Sequence, residues 1–469
     1  MIAAPILIPL LFAILLLFAW QKSRLQNILT MAGTILLLIN VIYLLYLVIT
    51  KGIQVMQIGN WPAPFGISLV IDVFSAILLV VAAFIGFIIA LFAQAGMDKP
   101  RIQYGFFPLF FFLLMGVNGA FITGDLFNLY VWFEVLLMAS FVLITFGGER
   151  PQIEGAIKYV FLNLLASILF LSAIGLIYNL AGTLNFADLA RVLPEIKSPG
   201  QVTIIAVLLL IAFGIKSAVF PLFFWLPASY HTAPVTITAL FSALLTKVGV
   251  YSLFRVFTLV FIQDTAYTHT IILIIACFTM VTGVLGAAAQ TDIRRLLSFH
   301  IISQIGYLLM GLGIFTRESL SASIYFMLHI MLAKTTLFLV AGMIGQLQGS
   351  YDLKKLGGLY ANRVGLSILF LLPALSLAGL PPLSGFYAKL GLIVAGIHQN
   401  QGLVVIVALA VSLMTLYSMT KVWNEAFWKN PYPGHEISSQ AVSAWMWIPT
   451  AAIVIVSLLL AIFSEAILQ

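Results

Sequence analysis

From residue 3 to residue 464 the chain is a succession of apolar stretches, about fourteen of them, each about 18 residues or more long. They fall at about 3–20, 28–50, 70–94, 105–122, 126–146, 157–180, 202–225, 235–261, 270–290, 296–314, 320–346, 365–395, 402–427 and 447–464. A stretch of that length spans the hydrocarbon of a bilayer as an α-helix. Composition leaves little alternative: 62% of the 469 residues are hydrophobic and 8% are charged. A soluble domain is roughly a quarter charged, and none has interior enough for this much apolar side chain. The expected fold is therefore all-α and polytopic, with lipid as the principal solvent. The first residues, MIAAPILIPLL, lack the basic region of a cleavable signal and read as the first span.

The net charge of +7 does not point to nucleic acid, because the bases are scattered through short connections. The odd connections hold Lys22, Arg24, Lys99, Arg101, Arg150, Lys158, Arg294, Arg295, Lys354, Lys355, Arg363 and Lys429; the even ones hold only Lys51, Arg191, Lys197 and Arg317. The bias places the odd connections in the cytoplasm and both termini outside. The single cysteine, Cys277, sits in an apolar run and reads as a small buried hydrophobe. No metal site is expected. No phosphate-binding loop, dinucleotide fingerprint, haem pattern or iron–sulfur cysteine set is present in the sequence, so no cofactor is expected and the chain reads as a transporter rather than an enzyme.

The chain repeats itself. KYVFLNLLAS from Lys158 resembles IYFMLHIMLA from Ile324, and GTLNFADL from Gly182 resembles GSYDLKKL from Gly349. Tyr159 and Tyr325 lie 166 residues apart; Gly182 and Gly349, and Asp125 and Asp292, lie 167 apart. The shift spans five helices, an odd number, so the second copy is expected to be inverted. Inverted repeats are a transporter architecture, with sites near the midplane and interrupted helices beside them. The expected organisation is residues 1–104 for three N-terminal helices, 105–262 for the first repeat, 263–428 for the second and 429–469 for the last helix. Breaks are expected in the seventh helix, at Pro221 and Pro227, and in the twelfth, which holds Pro373, Pro381 and Pro382. Proline removes a backbone donor, and the carbonyls it frees need protein or water partners in lipid.

Ionisable residues lie inside these spans: Glu134, Lys216, Lys247, His300, His329, Lys334 and Lys389. A charge at a span's centre costs roughly 2.5–3.5 kcal/mol, so the four lysines and the glutamate together cost on the order of 12–17 kcal/mol. A whole fold is stable by only about 5–15 kcal/mol. Residues this expensive are retained for a use. Arg255 and Lys421, near helix ends, read instead as snorkelling to the interface. Burial disfavours the charged form of amines and carboxyls alike, and a neighbouring opposite charge restores it. Glu134 beside Lys216 is expected to form such a pair, with Lys247, His329, Lys334 and Lys389 extending the path. The two histidines titrate near neutrality without a large shift. His329 occupies the slot that Asn163 fills in the first repeat, and His329 and Lys334, about 140° apart on a helix, need not face one direction. Asp72 is read as a possible cap of the third helix, Asp125 and Asp292 as equivalent caps, and Glu425 as an interfacial residue.

At these residues the chain resembles the large antiporter-like subunits shared by Mrp-type Na⁺/H⁺ antiporters and respiratory complex I. The likeness is carried by Glu134, Lys216, Lys247 and Lys389, and by the segments TDIRRLLSFHIISQIGYLLMGLG, FWLPASYHTAPVTITALFSALLTKVGVY and LPPLSGFYAKLGLI. Within that family it looks most like the D-type subunits of the Mrp antiporter. The resemblance implies a bacterial inner-membrane hetero-oligomer with subunits of types A, B, C, E, F and G, and sodium or lithium export driven by inward proton flow. It also implies roles: Glu134 modulates Lys216, Lys247 relays, His329 and Lys334 connect, and Lys389 closes the second half-channel. His300 stands where many relatives have serine, which leaves its place in the path open. A proton-pumping subunit of a redox complex is the alternative reading.

Overall fold

The computed structural model describes residues 1–20, 22–196, 198–431 and 441–468. Lys197, one of the even-connection bases, lies outside them. In a solvent without hydrogen-bonding groups, a lone segment can satisfy its backbone only as a helix, and helices dominate: α1 (Ala4–Phe18), α2 (Ser23–Lys51), α3 (Val73–Gly96), α4 (Phe106–Ile122), α5 (Leu126–Ile144), α6 (Arg150–Ala181), α7 (Pro199–Ser217), α8 (Val235–Arg255), α9 (Thr265–Ala288), α10 (Ile293–Ile314), α11 (Arg317–Gln348), α12 (Val364–Ala378), α13 (Ser384–His398), α14 (Gly402–Trp423) and α15 (Ala444–Ile462).

Every expected apolar stretch coincides with one of these helices, the twelfth being split into α12 and α13. Among the described residues, eleven helices are long and apolar enough to cross a membrane. Eleven of the fourteen expected spans thus have the length and composition that a crossing requires. The other three segments supply the shorter apolar helices α1, α4 and α12. One feature was not expected: the second connection folds into an antiparallel hairpin, β1 (Gln54–Gln57) on β2 (Ser68–Ile71), with Gln54 opposite Ile71.

The repeat is written into the backbone hydrogen bonds. In the first copy Leu126 N–H donates to Leu184 O and Phe186 N–H to Gly124 O; in the second Ile293 N–H donates to Tyr351 O and Leu353 N–H to Thr291 O. Every member of the second set lies 167 residues after its counterpart. Asp125 caps α5 by accepting from Asn128 N–H, and Asp292 caps α10 by accepting from Arg294 and Arg295 N–H, as expected. Helices α6 and α11 are both 32 residues long and both stop at a left-handed glycine, Gly182 and Gly349. Helices α8 and α14 both run on into a five-residue π turn. Counted from these caps, the offset along α6 and α11 is 167, so Asn163 falls level with Ile330, one position beyond His329.

The chain forms two compact units. Unit 1 comprises Met1–Ala90, Asp98–Ser217 and Leu244–Thr270; unit 2 comprises Leu91–Met97, Ala218–Ala243 and Ile271–Gln469. In unit 1, α4 packs between α1 and α5, and α6 between α5 and α7. The α4 phenylalanines Phe106, Phe107, Phe110 and Phe111 are fully buried there. In unit 2, α11 is the central post, packed by α10, α12, α13 and α15.

Candidate proton-carrying sites

The helices that carry most of the ionisable residues are also the most enclosed. The apolar windows of α8, α10 and α11 are 100%, 94% and 94% buried, against 33% for α2 and α15. This resolves the angular question about His329 and Lys334: α11 is covered on all sides, so both lie inside. Lys247, His300, His329 and Lys334 are fully buried, and Lys216 and Lys389 nearly so.

In unit 1, Lys216 is the next-to-last residue of α7. The helix stops at Ser217 because Ala218 turns left-handed (φ 60°); Pro221, in a cis peptide, follows. Pro227 lies in the short helix Trp225–Ser229 beyond. In unit 2 the amide that this break frees at Phe220 donates to Thr279 Oγ1 at 3.0 Å. Lys216 Nζ turns to α6. It donates to Ser167 Oγ at 3.0 Å and makes a longer contact with Asn163 O at 3.4 Å. It also lies 5.2 Å from the centroid of the Phe133 ring, within cation–π range.

The expected direct contact with Glu134 is not made. Glu134 acts on Lys216 through space, as it does on Tyr130 and Tyr159, and among the described residues its buried Oε1 has no hydrogen-bond partner. The reason is geometric: the amine is held by the α6 hydroxyl and carbonyl and by the Phe133 face. Lys247 sits on α8 two residues before Gly249. A Cβ at Gly249 would lie 2.5 Å from Ser217 Oγ and 3.0 Å from the Lys216 carbonyl carbon. Glycine there lets α8 close on the end of α7.

In unit 2 the second break falls between α12 and α13. Helix α12 accommodates Pro373 and ends at Ala378; Gly379 is left-handed (φ 90°), and Pro381 and Pro382 are joined by a cis peptide. The freed carbonyls have a partner, Lys389 from α13. Its Nζ donates to Leu377 O at 2.9 Å, Ala378 O at 3.2 Å and Ser412 Oγ at 2.9 Å, and lies 4.6 Å from the Tyr307 ring centroid. An ammonium has three hydrogens, and all three are placed. The partial negative charge at a helix C-terminus adds to the attraction. A Cβ on Gly379 would meet Lys389 Cδ at 2.9 Å.

His329 Nδ1 is 2.9 Å from Ser384 Oγ, with Ser376 behind it, while among the described residues its buried Nε2 has no hydrogen-bond partner. His300 Nε2 is 2.6 Å from Ser418 Oγ on α14. Lys334 Nζ reaches Leu297 O at 3.5 Å. Both histidines lie within electrostatic reach of Lys334 and Lys389. The structure thus brings His300, His329, Lys334 and Lys389 into one cluster in unit 2, and Glu134 and Lys216 into another in unit 1.

Two bases read as snorkelling do something else. Arg255 makes a bidentate ion pair with Asp72, with both contacts at 2.5 Å, and its Nε donates to Tyr251 Oη. Asp72 also accepts from Ser75 N–H, so it does cap α3. Lys421 donates to Ala288 O and Gln290 O and so caps the end of α9. Both side chains find protein acceptors at helix ends, where a snorkelling side chain would seek water. Glu425 pairs with Lys429 at 3.0 Å and is partly exposed, in keeping with an interfacial place. The serines at 167, 376, 384, 412 and 418 were not singled out by sequence reasoning. Their only signal is a hydroxyl in an apolar run.

Residues 123–415 match the family described as NADH:quinone oxidoreductase/Mrp antiporter, transmembrane. Among curated proteins, the chain is similar to the D-type subunit of the Na⁺/H⁺ antiporter of Alkalihalophilus pseudofirmus, 45% identical over all of this chain and 95% of that one. Among solved structures, it is similar to a chain of the Mrp complex from Dietzia sp. DQ12-45-1b, with a TM-score of 0.93 and 30% identity, covering 100% of this chain and 95% of that one. It is also similar to a chain of the membrane-bound sulfane sulfur reductase, an archaeal respiratory membrane complex, with a TM-score of 0.91 and 26% identity, covering 100% of this chain and 97% of that one.

Proposed function

The chain belongs to the NADH:quinone oxidoreductase/Mrp antiporter family of membrane subunits, and on that premise we propose that it is the proton-translocating D-type subunit of a multisubunit Na⁺(Li⁺)/H⁺ antiporter. The full-length likeness to a D-type Na⁺/H⁺ antiporter subunit and to a chain of an Mrp complex supports this. So does one observation above the others: Lys216, buried at the broken end of α7, is held by a hydroxyl and a carbonyl, with Glu134 acting on it from a distance.

In this reading a proton held on Lys216 is stabilised by the Glu134 carboxylate and released when that influence weakens. Lys247 takes it up. Lys334 and His329 carry it within unit 2, Lys389 holds it at the second break, and His300 is an accessory base. Water completes the path. The chain is a secondary transporter subunit rather than an enzyme. Its partners are subunits of types A, B, C, E, F and G, and the basic odd connections face the cytoplasm of a bacterial inner membrane, with both termini outside.

The test is Na⁺-dependent dissipation of a pH gradient in vesicles holding the whole complex. Glu134→Ala, Lys216→Ala and Lys389→Ala complexes are expected to assemble and to lose exchange. Parental rates in all three would mean that the residues are wrongly assigned. A second reading, a proton-pumping subunit of a redox complex, is favoured by the likeness to the sulfane sulfur reductase chain. Flavin or iron–sulfur subunits co-purifying with the chain decide for it.

A further inference from the structure

Resting on the proton-carrying role of His329 just stated, we propose that unit 2 has its own proton outlet, in which Ser457 on α15 passes protons between His329 and a water-filled cavity beside the second break. His329 is fully buried, and its two ring nitrogens differ: among the described residues Nε2 has no hydrogen-bond partner, while Nδ1 faces Ser384 Oγ at 2.9 Å. Ser384 Oγ is in turn 3.3 Å from Ser376 Oγ and 3.4 Å from Ser457 Oγ. Hydroxyls from α12, α13 and α15 therefore meet at one point. Ser376 Oγ itself lies 3.5 Å from His329 Nδ1 and accepts from Gly385 N–H, so the contact of Ser384 that leads away from the histidine is Ser457. Helix α15 is anchored there: Tyr325 Oη on α11 donates to Leu460 O, one turn past Ser457, at 2.8 Å.

A cavity of about 730 Å³ begins one helical turn past Ser457: Ala461 and Ser464, on the same face, line it with Leu383 and Leu458, and the two serines themselves stand just outside its wall. Tyr387, Ser464 and Glu465 supply its polar wall. Glu465 and Pro382 are exposed, so the cavity reaches the surface of the unit. It is far roomier than a single water requires, and it has polar partners for several. A carboxylate at its mouth favours the arrival and departure of cations. Lys334 and Lys389 act on His329 from within, so positive charge gathering on this cluster is repelled toward the serines.

The transfer balances. A proton leaving the Lys334 ammonium, which becomes a neutral amine, reaches Nε2 and forms the imidazolium; Nδ1–H then gives its proton to Ser384 Oγ, Ser384 gives its own hydroxyl proton to Ser457, and Ser457 gives its own to a cavity water. Four N–H or O–H bonds form and four break, and one proton enters as one leaves. Rotation of the hydroxyls and return of the imidazole to its Nδ1–H tautomer reset the relay.

The test compares Ser457→Val with Ser457→Thr, side chains of nearly equal shape of which only threonine keeps a hydroxyl. Both are measured in the assembled complex in vesicles, beside Lys216→Ala. Ser457→Val is expected to slow Na⁺-dependent proton exchange about tenfold, with Ser457→Thr near the parental rate. Equal rates for valine and threonine, whether both parental or both impaired, overturn the outlet. In a Cys277→Ser background, Ala461→Cys on the cavity wall is expected to react with a membrane-impermeant thiol reagent. Absence of reaction overturns the water-filled cavity, and this readout holds even if Ser457→Val fails to assemble. An inactive Lys216→Ala beside an unimpaired Ser457→Val defeats the outlet alone; a parental Lys216→Ala defeats the underlying reading.

Discussion

Lys216 in unit 1 and Lys389 in unit 2 both sit at breaks in apolar helices, yet the two amines are held differently. Lys216 has one good acceptor, Ser167 Oγ at 3.0 Å, one long one, an aromatic face and a carboxylate acting at a distance. Lys389 has three acceptors, two of them the buried carbonyls freed at the end of α12. Around Lys389, His329 and His300 the hydrogen-bonding partners are serine hydroxyls and backbone carbonyls, with no carboxylate among them. The chain shows two ways to keep a charge in hydrocarbon: oppose it with another charge, or solvate it with the protein's own backbone. Opposition leaves the amine responsive to a movable partner; solvation builds it into the helix break.

The largest effects should expose this contrast. Lys216→Ala and Lys389→Ala are each expected to lower antiport by about a hundredfold or more, read as vesicle exchange rates. They should differ in stability. Removing Lys389 strands the Leu377 and Ala378 carbonyls and should lower the thermal stability of the detergent-solubilised complex by about 1–3 kcal/mol. Removing Lys216 leaves Ser167, whose hydroxyl already donates to Asn163 O on its own helix at 3.0 Å, and stability should change by less than about 1 kcal/mol. Equal losses would erase the distinction.

Glu134→Gln keeps the shape of the side chain and deletes its charge. Exchange is expected to fall about tenfold with normal assembly, because Glu134 acts on Lys216 by charge and makes no direct contact with it. Unchanged exchange would mean that Lys216 works without it. At the second break, Gly379→Ala adds a methyl at φ 90° that meets Lys389 Cδ at 2.9 Å. It should destabilise by about 1–3 kcal/mol and impair exchange together. The smallest effect is at the first break. Ala218 already occupies a left-handed conformation (φ 60°), so Ala218→Gly relieves strain while adding chain entropy. Melting should shift by the equivalent of less than about 1 kcal/mol, and a large loss would show that the Ala218 methyl has a packing role.

Much of this was legible in the sequence, for physical reasons. Apolar length marks a helix in lipid because the backbone has no alternative there. The repeat was visible because Asp125 and Asp292, and Gly182 and Gly349, are caps whose chemistry tolerates few substitutes. The costs of burial named Glu134, Lys216, Lys247 and Lys389, but a cost carries no distance, so the separation of Glu134 from Lys216 could not be read. Arg255 was misread for the same reason, because Asp72 lies 183 residues away along the chain. The serines stayed hidden because most hydroxyls in such helices bond their own backbone one turn back, as Ser140 does to Leu136 O and Thr335 to Met331 O. Only coordinates separate those from Ser384 or Ser412. The short hairpin at Gln54–Ile71 has too few residues to show an alternation.

The clamp on the end of α12 has an arithmetic of its own. Lys389 reaches three oxygens with three hydrogens. A neutral amine has two and a lone pair, so when the proton departs all three contacts survive only if Ser412 turns its own hydroxyl hydrogen toward the nitrogen. Because the other two oxygens are peptide carbonyls at the fracture and cannot donate in return, the ionic state of this side chain and the direction in which Ser412 points are tied together.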